Sequence, residues 1–293
     1  MSRSPRGARR IAWHALRARI VLRRASLVAL LALGIAPGDA EAVAVSPSAL
    51  YLDHRNRSGV LTLFNSGSLP EEVEIGFAFG YPRSDSLGNV SVPIVSVAPE
   101  GEPSLVPWAR AFPRRMRLAP GQRQVVRVLV EPPPGLANGE YWGRIVVTSR
   151  GGQPPIEERR GDITLQVELQ AVIVTAVSYR NGDVRTGIAV TAGQARRVAG
   201  GIELLLDLSR EGNAAFVGRV VAQVVAANGA VIAEESEFVA VYRDLRSKIL
   251  IPIDPPARPS AHHVRFTIDT QRPDLPAEGP LPAQRRTGQV PVT

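Results

Sequence analysis

Hydrophobic and polar residues alternate with a period of two along most of this chain. Between residues 108 and 148, three such runs are separated by turn sequences, and the middle run carries Val126, Val128 and Val130 on one side. Pro120-Gly121, which precedes it, suits the central positions of a type II turn, because proline fixes φ and glycine supplies a positive φ. Period-two alternation rich in β-branched residues and interrupted by proline and glycine predicts half-buried antiparallel strands.

The longest alternation lies between residues 163 and 173. Its apolar positions are Ile163, Leu165, Val167, Leu169, Ala171 and Ile173. Six positions on one face span about 33 Å at about 3.3 Å per residue, which is enough to cross a sandwich. We therefore predict one continuous strand here, the last strand of the first domain.

A second series of alternating runs begins after Tyr179-Arg180-Asn181-Gly182-Asp183 and contains the hairpin signal Asn228-Gly229. About seven strands are expected in it, a number that suits an immunoglobulin-like sandwich. The sequence thus predicts an all-β protein with two immunoglobulin-like β-sandwich domains, residues 43–178 and 183–270. The proline-rich tail, residues 271–293, is expected to lie loosely on the surface.

Residues 1–42 have the pattern of an export signal. A basic segment ends at Arg23-Arg24, an apolar run of 11 residues follows at 25–35, and Ala40-Glu41-Ala42 fits a cleavage site. As a helix the run would rise only about 16 Å, too short for a hydrocarbon core of about 30 Å. We predict a signal peptide cleaved after Ala42 and a periplasmic location, with an uncleaved anchor helix as the alternative. No later run approaches about 20 apolar residues, so no membrane span is expected after cleavage.

The formal net charge of +8 is concentrated in that N-terminal segment, which holds eight arginines and two acids. The rest of the chain carries 27 basic and 25 acidic residues and is nearly neutral. The arginines at 114, 115, 117, 123, 127 and 144 lack the aromatic neighbours of a single-strand-binding surface, so a solvated or acid-facing sheet edge is expected and no nucleic-acid partner. Cysteine is absent, which removes disulfides and thiolate chemistry.

Candidate catalytic and metal-binding residues are few. His262 and His263 are adjacent, so on a regular strand their side chains would point to opposite faces and could not chelate one metal. His54 beside Asp53 is best interpreted as a surface hydrogen bond. Neither a nucleophile elbow nor a zinc-protease motif occurs in the sequence. We expect no enzymatic activity, no metal site and no cofactor.

Several segments in order resemble the periplasmic pilus-assembly chaperones, the PapD-like family. They are the export signal, Val45-Ser46-Pro47, Leu61-x-Leu63-x-Asn65, Phe112-Pro113-x-x-Met116-x-Leu118-x-Pro120-Gly121, Val126-Arg127-Val128 and the long alternating strand ending in Tyr179-Arg180. The similarity covers most of residues 43–182 in pattern and the remainder only in architecture.

The resemblance implies a two-sandwich chaperone that lends the last strand of its first domain to an incomplete pilin-like subunit. In such β-strand addition, main-chain hydrogen bonds provide affinity and alternating side chains fill the subunit's groove. The resemblance thus makes Ile163, Leu165, Val167, Leu169, Ala171 and Ile173 the candidate partner-binding residues. Pilin-like subunits and an outer-membrane usher are the expected partners. The alternative is that these side chains pack only into their own core.

Two features depart from the family pattern. The family places basic residues from the first and last strands of domain one in the cleft between domains, where they hold the subunit's terminal carboxylate. Here Ser48-Ala49-Leu50 occupies the first position, and no arginine or lysine lies within the predicted last strand. The acidic motif before the penultimate strand is replaced by Leu136-Ala137-Asn138-Gly139-Glu140-Tyr141.

We therefore expect a non-enzymatic chaperone-like protein that takes part in the assembly of surface fibres. The first alternative is a structural or adhesive exported β-sandwich module without chaperone activity. A less favoured alternative is an exported sugar-binding or hydrolytic accessory domain.

Overall fold

The computed structural model describes residues 43–152, 156–160, 163–167, 170–254 and 260–293. The predicted signal peptide lies outside these residues. Apart from one turn of 3-10 helix, Val106–Trp108, the described residues form strands and their connections, which confirms the predicted all-β class. No helix among them is long and apolar enough to cross a bilayer.

The first sandwich is built from two main sheets and two small ribbons. Its strands are β1 (Val43–Ser46), β2 (Ala49–Asp53), β3 (Ser58–Asn65), β4 (Glu71–Ala78), β5 (Arg83–Ser84), β6 (Val90–Ser91), β7 (Ala109–Phe112), β8 (Arg115–Leu118), β9 (Arg123–Val130), β10 (Gly139–Arg150), β11 (Ile156–Arg160), β12 (Ile163–Val167) and β13 (Gln170–Asn181). One sheet has the order β1-β3-β9-β7 and the other β2-β13-β10-β4-β8. The ribbons pair β5 with β6 and β11 with β12.

Alternation along the strands fills the core of this sandwich, as the sequence pattern predicts. Leu61 and Leu63 of β3 and Val126 and Val128 of β9 are fully buried and belong to one apolar cluster. The turn before β9 has the predicted chemistry, because Gly121 has a φ of 71° and Gln122 N–H donates to Ala119 O at 3.0 Å.

Two prolines mark the points where the chain crosses between the sheets. Pro47 lies between β1 in one sheet and β2 in the other, and Pro113 lies between β7 and β8 in the same way. Both follow cis peptide bonds. Each crossing lets one stretch of chain line the edges of both sheets.

The second sandwich has a three-stranded and a four-stranded sheet. Its strands are β14 (Thr186–Val198), β15 (Gly201–Gly212), β16 (Phe216–Ala226), β17 (Val231–Val241), β18 (Asp244–Pro252), β19 (Ala261–Asp269) and β20 (Arg286–Pro291). The sheet orders are β14-β15-β18 and β17-β16-β19-β20. The predicted hairpin at Asn228-Gly229 joins β16 to β17, with Ala226 N–H donating to Ala230 O at 2.9 Å.

The C-terminal tail is not loose, which corrects our expectation. Six residues of β20 pair with β19, Val290 is buried in the core, and Thr293 N–H donates to Ala195 O at 3.0 Å. The many prolines of the tail lie mostly before β20, and Gln289-Val290-Pro291-Val292 keeps the period-two pattern of a strand. The high proline content of the segment hid this local signal.

The two sandwiches meet at a buried aromatic cluster. The rings of Tyr81 and Tyr242 stack with centroids 5.6 Å apart, and Trp142 of β10 meets Tyr242 edge-on at 4.9 Å. Ala215 and Val217, at the start of β16, are buried in the same cluster. Burial raises the pKa of the Tyr242 phenol. Aromatic packing across the junction fixes the walls of the cleft between the sandwiches.

Candidate partner-binding edge and cleft

Strand β13 is paired unequally on its two sides. On one side it pairs with β10 along its whole length, from Gln170 opposite Arg150 to Asn181 opposite Gly139. On the other side β2 runs parallel to it only from Ala176 to Arg180. Among the described residues, no strand pairs with residues 170–175 on that side, so this part of β13 has an open edge.

The main-chain groups of every second residue point to the open edge. Ala176 N–H donates to Ser48 O at 3.2 Å, so the even-numbered residues of β13 direct their N–H and C=O groups toward β2. Continuing this alternation, Gln170, Val172 and Val174 direct theirs toward the side that β2 leaves uncovered. An unpaired row of donors and acceptors of this kind is a template for another strand.

The same even-numbered residues expose apolar side chains. Val172 is 53% and Val174 38% exposed, whereas Thr175, Val177 and Tyr179 are buried in the first sandwich. On an open edge, exposed valines offer apolar surface against which an added strand can pack. This edge therefore combines free main-chain groups with apolar side chains.

In the described part of the chain the predicted partner-binding residues fall on two strands, one on either side of residues 168 and 169. Ile163, Leu165 and Val167 lie on β12, which pairs with β11, and Leu169 lies outside the described residues. In β13, Ala171 is half-buried and Ile173 packs against the core of the first sandwich. β13 pairs with β10 and β12 pairs with β11, both antiparallel.

Sequence pattern could not identify the exposed side of β13. Ala171, Val172, Ile173 and Val174 are all apolar, so alternation is lost over these four positions. The side that faces inward is set by pairing with β10, which places the odd-numbered residues in the core. Val172 and Val174 thus lie outside the six positions that the sequence made candidate partner-binding residues.

At the end of the open edge, two alanines face each other across β2 and β13. Ala176 of β13 is the register partner of Ala49 of β2, where the first and last strands of the sandwich meet. The cleft basic residues that the resemblance led us to look for are therefore absent from this pair. A methyl group at each position offers no charge to an incoming carboxylate.

Strand β13, the last strand of the first sandwich, contains one cation, whereas we expected no arginine or lysine in that last strand. Arg180 lies near its end, and its Nε is 3.0 Å from Glu140 Oε1, with the two side chains 11% and 1% exposed. The other oxygen, Glu140 Oε2, accepts hydrogen bonds from Trp142 Nε1 at 3.0 Å and Ala215 N–H at 2.9 Å. The sequence could have placed Arg180 on this strand, because Val177 and Tyr179 continue the inward-facing positions up to the residue before it.

The connection between β19 and β20, which we call the strap (residues 270–285), covers Arg180. Arg180 Nη1 donates to Glu278 O at 2.6 Å and Nη2 donates to Gly279 O. The guanidinium also stacks on the ring of Tyr51 at 4.9 Å, and Gly279 lies against the same ring. Burial is the main cause that raises the pKa of the Tyr51 phenol, and the nearby Tyr242 phenol raises it further. The donors of Arg180 are therefore used within the protein.

The arginines that follow Pro113 face acids. Arg115 Nη2 lies 3.0 Å and Arg114 Nη2 3.6 Å from Glu74 Oε1, all on the exposed surface of β4 and β8. For Arg114 and Arg115 this agrees with the acid-facing sheet edge expected from the sequence, whereas Arg144 is buried and its Nε donates to Gly80 O at 2.8 Å. Among the described residues, no group of three or more histidine, aspartate or glutamate side chains could hold a metal.

The chain matches no protein-family model and no curated protein. Among solved structures it is similar to a chain of the CsuC-CsuE chaperone-tip adhesion subunit complex of Acinetobacter baumannii, with 11% identity, coverage of 86% of this chain and 99% of that one, and a TM-score of 0.43. It is similar also to the CupB2 chaperone of Pseudomonas aeruginosa, with 11% identity, coverage of 85% of this chain and 100% of that one, and a TM-score of 0.40. With the E. coli chaperone DraB the identity is 14%, the coverage 85% of this chain and 95% of that one, and the TM-score 0.41. Likeness at this identity and TM-score does not carry a function from these proteins to this chain.

Proposed function

We propose that this protein is a periplasmic chaperone that holds pilus-type subunits by β-strand addition along β13. The observation that carries the proposal is the open edge at residues 170–175, where free main-chain groups and two exposed valines occur together. β-strand addition uses both features, because main-chain hydrogen bonds supply affinity and side chains select the groove.

The ribbon of β11 and β12 extends the proposed binding strand. Arg150 pairs with Gln170 at the end of the β10/β13 hairpin, and the ribbon follows with Ile156 paired to Val167. The alternating Ile163, Leu165 and Val167 would continue along a bound subunit beyond the first sandwich. Together with Leu169, Ala171 and Ile173, they remain candidate contacts in this proposal.

The residues of the cleft support subunit binding that depends more on main-chain hydrogen bonds than on an ion pair with the subunit's terminal carboxylate. Ala49 and Ala176 carry no charge, and Arg180 is already bonded to Glu140 and to the strap. A partner's terminal carboxylate that reached this cleft would have to displace the strap carbonyls. We therefore propose that the subunit's terminal carboxylate contributes little to binding.

The remaining parts of the proposal follow from the sequence. The export-type N-terminus supports a periplasmic location, where an outer-membrane usher would receive the loaded chaperone. The proposed subunit-binding domain is residues 43–178, and the proposed second domain is residues 183–270. The β20 strand joins the second sandwich from the segment that follows residue 270.

Co-expression with a small exported pilin-like subunit tests the proposal. The wild-type chain should leave purification with a stoichiometric subunit. The variant Val172→Asp should lose the subunit, because a carboxylate would enter an apolar groove. The control is Val231→Asp on β17 of the second sandwich, where the valine is 46% exposed, close to the 53% of Val172.

Equal capture by both variants would contradict the proposal, provided circular dichroism shows that both are folded. A second candidate function is a structural or adhesive surface module. The strap filling the cleft favours it, because a module that receives no partner terminus can close that cleft permanently. A stable monomer that captures none of the subunits would support this second candidate.

A further inference from the structure

The outer face of the four-stranded sheet of the second sandwich carries two adjacent histidines at an irregularity of β19. Val225 of β16 pairs with His263, but the next residue, Ala226, pairs with Ala261. Two consecutive residues of β16 thus oppose three of β19, and His262 is the extra residue. This is a β-bulge, a feature that redirects side chains.

The bulge brings both imidazoles to the same face of the sheet. Val264, Phe266 and Ile268 are buried, so the odd-numbered residues of β19, including His263, point outward. Regular alternation would turn His262 inward, yet Ala261 is buried and His262 is exposed. Our expectation that the two side chains lie on opposite faces is therefore wrong, and the bulge is the physical reason.

The two rings are close enough to share one ligand. Their Nδ1 atoms are 3.2 Å apart and the ring planes cross at 88°. A histidine nitrogen binds zinc at about 2.0–2.1 Å, so two nitrogens at this separation subtend about 100° at one ion, near the tetrahedral angle. In the metal-free protein a proton between the two nitrogens would occupy this place.

The residues around the two histidines leave the other coordination positions of a metal ion open. Two imidazoles alone also bind some metals more tightly than others. His263 is flanked by Val225 on one side and Pro291 on the other. The neighbouring cation, Arg265, is turned to Gln223 Oε1, at 3.1 Å and 2.8 Å from its Nε and Nη2. Among the described residues no third histidine or acid completes a metal-binding group. Water or a donor from another molecule would fill the remaining positions. With two imidazoles alone, the intrinsic order of affinities places Cu²⁺ above Ni²⁺ and Zn²⁺.

We propose that His262 and His263 chelate one divalent transition-metal ion through their Nδ1 atoms, in a site created by the β19 bulge. The site lies in the second sandwich and is independent of the proposed subunit-binding edge. Chelation makes the second imidazole bind intramolecularly, so affinity should exceed that of a single surface histidine by a large factor.

Calorimetric titration of the chain from residue 43 onward, without a histidine tag, with Zn²⁺ and with Cu²⁺ tests this proposal. One ion per chain is expected, with tighter binding of Cu²⁺. His262→Ala and His263→Ala should each weaken binding at least tenfold, since either change leaves a single imidazole. His54→Ala, which removes an exposed histidine of the first sandwich, should leave affinity and stoichiometry unchanged.

The competing model is two independent histidines. In that model each imidazole binds an ion alone, His54 as well as these two, so the wild type binds three ions and each single variant keeps the affinity but loses one ion. Either that pattern or an affinity within twofold of wild type in a single variant would overturn the chelate. Thermal unfolding of each variant, expected within a few degrees of wild type, separates loss of the ligand from loss of the fold.

Discussion

Ala176 of β13 faces Ala49 of β2, and at this pair the edge of the main sheet changes from open to paired. Ala176 N–H is the first donor of the even-numbered row that finds a partner, the carbonyl of Ser48 just before β2, and Val174, two residues earlier, lies beyond the end of that strand. The length of β2 therefore sets how much of β13 is available to another chain.

Proline substitutions distinguish the two sides of β13. Val172→Pro removes an N–H that points to the open edge, so the stability of the protein should change little while subunit capture falls. Ile173→Pro removes an N–H on the side paired with β10 and leaves an acceptor unpaired, at a cost of about 1–3 kcal/mol. Urea unfolding and co-purification measure the two effects. Equal destabilisation by both variants would show that residue 172 is not at an open edge.

The buried ion pair beneath the strap should be important for stability. Glu140→Ala leaves Arg180 without its carboxylate and the N–H groups of Trp142 and Ala215 without their acceptor. Removing one partner of a buried pair destabilises a protein by about 3–5 kcal/mol. Urea unfolding at neutral pH measures this loss.

An exposed ion pair of the same sandwich provides the control for Glu140. Glu74→Ala breaks the contact with Arg115, in which both side chains are well exposed, and should lower stability far less than Glu140→Ala does, because solvent screens the exposed pair. Similar losses in the two variants would mean that burial of Glu140 contributes nothing.

The strap should depend on a glycine at its closest approach to β2. A Cβ on Gly279 would lie about 2.6 Å from the Tyr51 ring, closer than side chains pack. Gly279→Ala should displace the strap from Arg180, lower stability by about 1–3 kcal/mol and make residues 270–285 more sensitive to protease. Gly76→Ala on β4, where the nearest atom is 3.9 Å away, is the matched control and should be tolerated. Resistance of the Gly279 variant to proteolysis at the wild-type level would count against a packed strap.

Acid should weaken the contact between the first sandwich and β18. Arg246 donates to both carboxylate oxygens of Asp207 at 2.6 Å and 2.8 Å, while its other groups bind Ser84 and Ser86. The hydrogen bonds from Arg246 hold the pKa of Asp207 below its ordinary value of 3.8. Because the folded-state pKa is the lower one, this contribution is complete above the ordinary value and is lost as pH falls through the folded-state value.

The variant Asp207→Asn cannot make this titration. Compared with wild type it should be less stable at about pH 6, and the difference should shrink on acidification to about pH 2. Urea unfolding at several pH values measures this convergence. A stability difference independent of pH would show that Arg246 does not stabilise the ionised carboxylate.

Local pattern was enough to predict much of this protein. Period-two alternation identified the strands that hold Leu61, Leu63, Val126 and Val128, and turn chemistry identified Pro120-Gly121 and Asn228-Gly229. These features depend on neighbours in sequence, since a strand alternates and a turn needs particular φ values wherever they occur. The all-β class and the two-sandwich architecture followed from them.

Pairing between distant segments decided the rest. Register with β10 turned Val172 and Val174 outward, the short β2 left the edge open, and a bulge opposite Val225 placed His262 beside His263. A shift of one residue in pairing moves every side chain of a strand to the opposite face of the sheet. A one-residue bulge does the same for the residues on one side of the bulge. The sequence therefore determined which segments are strands, whereas only the tertiary structure determined which of their faces and edges remain free, because those depend on the partner strand.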